Sequence, residues 1–237
     1  MNKINKSVMK NNILVILIIV FTSGVFAQDE SKDLKAKEIL SQVSSKYRMY
    51  STIKADIRLI IEDNLEGTTD TQKVSVWMKA VKYKISIPEV ETTCDGKIVW
   101  SYQKKSNEVT ISEKDPADNS FFSNPSMIFS NYETNFKCLY QGEKKSGSAT
   151  ICEIDLFPAS LDKDVIQKGI NKTGYSRIRL RIDKASYSIR SLTYFGKDGN
   201  NFIIEIRKLV PDTELPDTFF TFDIKKHPGI EVIDLRE

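Results

Sequence analysis

The stretch Ile53-Lys54-Ala55-Asp56-Ile57-Arg58-Leu59-Ile60-Ile61-Glu62 decides the fold. Ile53, Ala55, Ile57, Leu59 and Ile61 take every second position, with Lys54, Asp56, Arg58 and Glu62 between them. Successive side chains of a strand point to opposite faces, so this is a long strand with one apolar and one polar face. Burial on one side only is the habit of antiparallel sheets. Immediately upstream, Ala36, Ile39, Leu40, Val43 and Tyr47 recur at helical spacing and predict one amphipathic helix. The polar residues 28–33 before it are expected to fray.

Downstream the period of two persists. Asn64 to Thr69, with Gly67, makes a turn; Val74, Val76 and Met78 then alternate with Ser75, Trp77 and Lys79. Tyr83, Ile85 and Ile87 form the next apolar face, and Pro88 ends that strand. Asp95-Gly96 reads as a hairpin turn into Ile98, Trp100 and Tyr102, with a short return over Asn107–Ser112. Residues 113–124 lose the pattern yet hold Phe121 and Phe122, and Pro125-Ser126-Met127-Ile128-Phe129 opens as a short helix. Further strands are predicted at Phe136–Gly142, Ala149–Phe157, Tyr175–Asp183, Ser186–Phe195, Phe202–Val210 and Phe219–Ile224. Between them lie a turn near Lys144–Gly147, a polar loop over Ala159–Gly174 with a helical turn near Asp164–Lys168, and a hairpin at Lys197–Asn200. Arg177, Arg179 and Arg181 alternate with Ile178, Leu180 and Ile182 and read as a solvated sheet face.

Roughly eleven or twelve antiparallel strands, nearly all one-sided, with few helices predict a mainly β (α+β) fold built on a strongly curved sheet or barrel. Two helices cover few strands, so part of the apolar face is expected to enclose space.

The chain of 237 residues is 40% hydrophobic and 28% charged, which suits a single globular domain. Its net charge of +3 comes entirely from Lys3, Lys6 and Lys10. The rest is neutral and offers no bulk charge for nucleic acid. Those lysines precede an apolar run, Ile13–Phe21, and a small-residue stretch ending Val25-Phe26-Ala27. That is the order of a secretory signal, with cleavage expected after Ala27 and an exported domain over residues 28–237. The run is shorter than the roughly 20 apolar residues of a permanent span.

The exported part holds Cys94, Cys138 and Cys152. A turn centred on Lys145 would set Cys138 opposite Cys152, so a disulfide between them and three small buried thiols both stand open. His227 is the only histidine. A multi-histidine metal site is thereby excluded, no cofactor is implied, and no cysteine has a visible histidine partner for nucleophilic catalysis. Neither a GxSxG elbow nor a phosphate-binding glycine loop occurs. An enzyme is the weakest class.

Several motifs together resemble the LolA-type periplasmic carriers of outer-membrane lipoproteins. They are the helix Ala36–Tyr47 with the strand Ile53–Ile61, Val76-Trp77-Met78-Lys79, and Asp95-Gly96-Lys97 spaced to Trp100 and Tyr102 as DGKxxWxY. Asn124-Pro125-Ser126-Met127-Ile128, Phe219-Phe220-Thr221-Phe222 and Pro228-Gly229-Ile230-Glu231-Val232 complete the set. The likeness runs from about Leu34 to Leu235. It implies an incomplete, strongly curved antiparallel β-barrel of about eleven strands with a helical lid over an apolar cavity, in a monomeric, non-enzymatic periplasmic chaperone. Such a carrier takes acylated lipoproteins from an inner-membrane lipoprotein-releasing transporter, shields their acyl chains and hands them to an outer-membrane acceptor. Ile39, Leu40 and Val43 would then belong to the lid with Met127, Ile128 and Phe129. Met78, Tyr83, Ile85, Ile87, Trp100 and Tyr102 would line the sheet side, and Phe121 and Phe122 a loosely packed wall. One departure stands out: where many members carry Arg-Pro after the Trp-x-Lys element, this chain has Ala80-Val81. A carrier of another lipid or glycolipid, and a regulatory domain that senses lipoproteins, are the alternatives.

Overall fold

The computed structural model describes residues 24–115, 125–129, 132, 136–158 and 174–236. Residues 1–23 of the expected signal segment 1–27, Phe121, Phe122 and the helical turn near Asp164–Lys168 lie outside them, while residues 24–27 of that segment fall in a helix. Helix α1 (Gly24–Arg48) is followed by β1 (Ile53–Asp63), β2 (Thr68–Lys79), β3 (Lys82–Ser86), β4 (Val90–Cys94), β5 (Ile98–Gln103) and β6 (Glu108–Glu113). A short 3₁₀ helix, Pro125–Phe129, precedes β7 (Phe136–Ser146), β8 (Ala149–Pro158), β9 (Tyr175–Asp183), β10 (Ser188–Gly196) and β11 (Asn200–Pro211). Two more 3₁₀ turns and β12 (Glu231–Asp234) end the described chain. Residues 28–33 do not fray: α1 runs through them, and Lys37 grips Asp33 one turn back at 2.7 Å.

The twelve described strands form one sheet in the order β12-β6-β5-β4-β3-β2-β1-β11-β10-β9-β8-β7. This corrects the expected barrel. The end strands β12 and β7 do not pair, so the sheet is open with two edges. Alternation tells which face of each strand is buried, but carries nothing about whether the first and last strands meet; closure depends on tilt and stagger set by distant pairs. Two antiparallel meanders join at β1·β11, and β12 pairs in parallel with β6. The expected strand at Phe219–Ile224 is likewise absent. Asp217–Phe220 and Ile224–Lys226 are 3₁₀ turns, and their aromatic rings rather than a backbone ladder fasten the segment.

Cross-strand register sorts the side chains onto two faces. Ile53, Ala55, Ile57 and Leu59 of β1 share one with Val74, Val76 and Met78, then Tyr83 and Ile85, then Cys94. Across β1·β11 the same face continues through Ile204, Leu192, Leu180, Ile154 and Leu156. Helix α1 lies on this face with Ala36, Leu40 and Val43 fully buried, and these residues form one core. Three polar anchors add to the apolar contact. Lys46 Nζ donates to Ser186 O and Ser188 Oγ, the Ile189 N–H donates to Tyr47 Oη, and Lys35 sits over the Tyr140 ring.

The reverse face has a cover of its own. The segment after β11 crosses β2–β6: Phe220 is fully buried, Phe219 meets Trp77 edge-on at 5.7 Å, and Asp217 pairs with Lys79 and Lys82. His227 stacks on Phe222 and packs on Tyr102, whose hydroxyl donates to Asn107. On the other half, the arginines expected to be solvated are instead paired. Arg177 and Arg179 both donate to Asp155, which is 2% exposed, and Arg181 faces Glu153 at 3.4 Å.

Candidate functional site

A hollow of about 190 Å³ lies where the end of α1, the start of β1, the β2–β3 turn and the 3₁₀ helix Pro125–Phe129 meet. Four kinds of local structure place its walls. The last turn of α1 supplies Tyr47 and Arg48, because the apolar stripe that seats the helix ends there. The α1–β1 connector supplies Tyr50, Ser51 and Thr52. From the sheet come Ile53 and Met78, which the β1·β2 register sets directly opposite each other. Ser126 and Phe129 close it from the 3₁₀ helix.

The rings define its shape. Tyr47 and Phe129 are 4.5 Å apart between centroids and tilted by 32°, and Tyr50 meets Tyr47 edge-on at 5.7 Å. Burial pushes the Tyr47 hydroxyl up to about 12, because the phenolate would lose water. The connector is pinned from below: Thr52 Oγ1 donates to Thr213 O at 2.6 Å, and Asp212 accepts from the Ser51 N–H and hydroxyl at 2.8 Å each. Those two bonds hold the Asp212 carboxyl below its ordinary range. Ala80 sits in the two-residue turn between Lys79 and Lys82 with φ 52°, a left-handed conformation that a short side chain bears best.

The walls are mostly apolar, and the one charged residue among them, Arg48, is exposed. Water's share of liquid is about 30 Å³ and a methylene takes a similar volume, so the hollow admits roughly six methylenes. Pockets for drug-sized ligands run about 300–1,000 Å³. Among the described residues no group of three or more His, Cys, Asp or Glu side chains could hold a metal ion. No described helix is long and apolar enough to cross a membrane.

The expected site residues scatter. Met78 and Phe129 line the hollow. Ile39, Leu40, Val43, Tyr83, Ile85 and Ile128 are core under the helix, and Ile87 packs partly buried against it. Trp100 and Tyr102 lie on the face opposite the helix. The pairing of Cys94 with Val99 puts Val99 on the Tyr83 side and sends Trp100 and Tyr102 to the reverse face, where Tyr102 meets Phe222 and His227. Phe121, Phe122 and the Met127 side chain fall outside the described residues. Sequence reasoning does not reach Tyr50, Ser51, Thr52 and Arg48, since a connector has no periodicity and its nearness to Phe129 is a tertiary fact. The expected opposition of Cys138 and Cys152 also fails: Cys138 pairs with Leu156 and Cys152 with Glu143, so all three cysteines are buried free thiols. The turn is Gly147-Ser148, not one centred on Lys145.

No family model matches the sequence. The chain is similar to an uncharacterized protein of Methanocaldococcus jannaschii, 22% identical over 182 residues covering 76% of this chain and 54% of that protein. The chain thus spans about half the length of the curated relative it matches. Among solved structures it is similar to an uncharacterized conserved protein from Thermus thermophilus, with TM-score 0.54, 13% identity, and coverage of 84% of this chain and 99% of that one. The two share a fold. It is also similar to a putative outer membrane lipoprotein-sorting protein domain from Vibrio parahaemolyticus, with TM-score 0.48, 12% identity, and coverage of 80% of this chain and 97% of that one.

Proposed function

We propose that the chain is a non-enzymatic carrier, exported to the periplasm, that shields lipoprotein acyl chains between α1 and the apolar face of the sheet. It would take them from an inner-membrane releasing transporter and deliver them to an outer-membrane acceptor. The observation that carries this reading is the apolar hollow at the joint of Tyr47, Ile53, Met78 and Phe129. Among the described residues α1 and the sheet share one core, and the hollow lies where the end of α1 meets β1, β2 and the 3₁₀ helix.

Each buried methylene is worth about 0.8 kcal/mol, so a sixteen-carbon chain represents roughly 12 kcal/mol gross. A preformed slot capturing three such chains would not release them. A small hollow that widens as the helix lifts answers this: an entering chain replaces side-chain contacts of α1 like for like, and the net gain stays modest. Few polar anchors among the described residues oppose the lifting, and Lys46 and Lys35 make theirs near the surface. The test is recovery of the exported protein from its own cells under native conditions, followed by mass analysis. Acylated polypeptide should accompany it; repeated recovery without any acylated species overturns the reading.

A further inference from the structure

The hollow has a chemical polarity that hydrocarbon shielding alone does not require. Among the described residues its lining contains one charged group, Arg48, and no carboxylate. Arg48 has no ion-pair partner among the described residues. The negative end of the helix dipole already has Lys46 in the same last turn. The neighbouring carboxylate, Asp212, is turned to the backbone N–H and hydroxyl of Ser51. Ser51 also lines the hollow, and its hydroxyl donates to Asp212. Aromatic and aliphatic walls beside an exposed cation that has no ion-pair partner among the described residues match an amphiphile with one end apolar and the other negatively charged.

We infer that the site selects acyl chains that end in an anionic group, with Arg48 binding the carboxylate or phosphate and the Tyr47–Met78–Phe129 walls taking the first carbons of the tail. This rests on the hollow being an acyl site. Size agrees, since roughly six methylenes fit before the helix must move. Exposure of Arg48 keeps the charge pair modest and salt-sensitive.

Binding of decanoate, decyl phosphate and decanol to the full chain, by displacement of a fluorescent fatty acid at low and high salt, tests it. Decanoate or decyl phosphate should bind about five- to tenfold more tightly than decanol, with the gap closing at high salt. The ratio between the two anions separates a fatty-acid carboxylate from a phosphorylated lipid. Arg48→Gln should erase the gap by weakening decanoate and decyl phosphate more than decanol, and Arg48→Lys should retain most of it. Equal affinity for all three ligands, or a gap unaltered in Arg48→Gln, overturns the headgroup inference and leaves the acyl site standing. Failure of all three to bind overturns the acyl site itself.

Discussion

The ring of Tyr47, in the last turn of α1, lies 4.5 Å from the ring of Phe129 and ties the long helix to the 3₁₀ helix above the sheet. Phe129 is 4% exposed yet borders open space, so it is at once core and wall. Phe129→Ala should cost about 3 kcal/mol in denaturant unfolding, because transfer and cavity terms add. The same variant should enlarge the hollow and bind decanol more tightly relative to folded protein. A loss below about 0.5 kcal/mol would mean that the ring does not pack as described.

Tyr47 also governs an alkaline limb. Its pKa is raised to about 12 from 10.0 by burial, so the neutral phenol is the form that folding favours. Stability from this group is fully present below pH 10 and is lost as pH rises through 12. Tyr132, Tyr140, Tyr175 and Tyr194 are raised as well, also chiefly by desolvation. Tyrosinate absorbance should therefore rise in two groups, and Tyr47→Phe should remove one residue from the late group. That variant also strands the Ile189 N–H, at a cost of about 1–3 kcal/mol.

The proposed acyl site and the strap that carries Phe222 and His227 lie on opposite faces of the sheet. Tyr102→Ala should loosen the segment that carries Phe222 and His227, exposing amides of residues 217–230 to faster hydrogen exchange, and leave acyl binding unchanged. Met78→Ala, on the face of the hollow, should alter acyl binding. A loss of binding in Tyr102→Ala equal to that in Met78→Ala would contradict the division by register.

Cys138 and Cys152 are four residues out of register across β7·β8, about 13 Å along the strand, well beyond disulfide reach. Alkylation of the denatured protein, isolated from the cells that make it without reductant, should label all three thiols, whereas the folded protein should react slowly because each is buried. A linked Cys138–Cys152 peptide would show that the β7–β8 register is different.

Legibility in the sequence varies from element to element. The strand at Ile53 is placed to within two residues because its positions alternate without interruption over nearly the whole length. Phe219–Phe222 misleads for the opposite reason: four residues, three of them aromatic, fit a buried strand and an aromatic strap equally well. Arg177, Arg179 and Arg181 share one face by their spacing, but their partners Asp155 and Glu153 lie on a strand whose pairing cannot be inferred from either segment alone.

Local periodicity by itself determined that this chain makes an antiparallel sheet with a long helix upon it, since alternation and helical spacing are properties of neighbours in sequence. Only the tertiary structure decided that the sheet stays open, that Trp100 and Tyr102 turn away from the helix, and that Arg48, Ser51, Met78 and Phe129 surround one hollow. Register, edge pairing and the meeting of remote segments depend on contacts between residues far apart in the chain, and a shift of one residue in pairing exchanges the two faces.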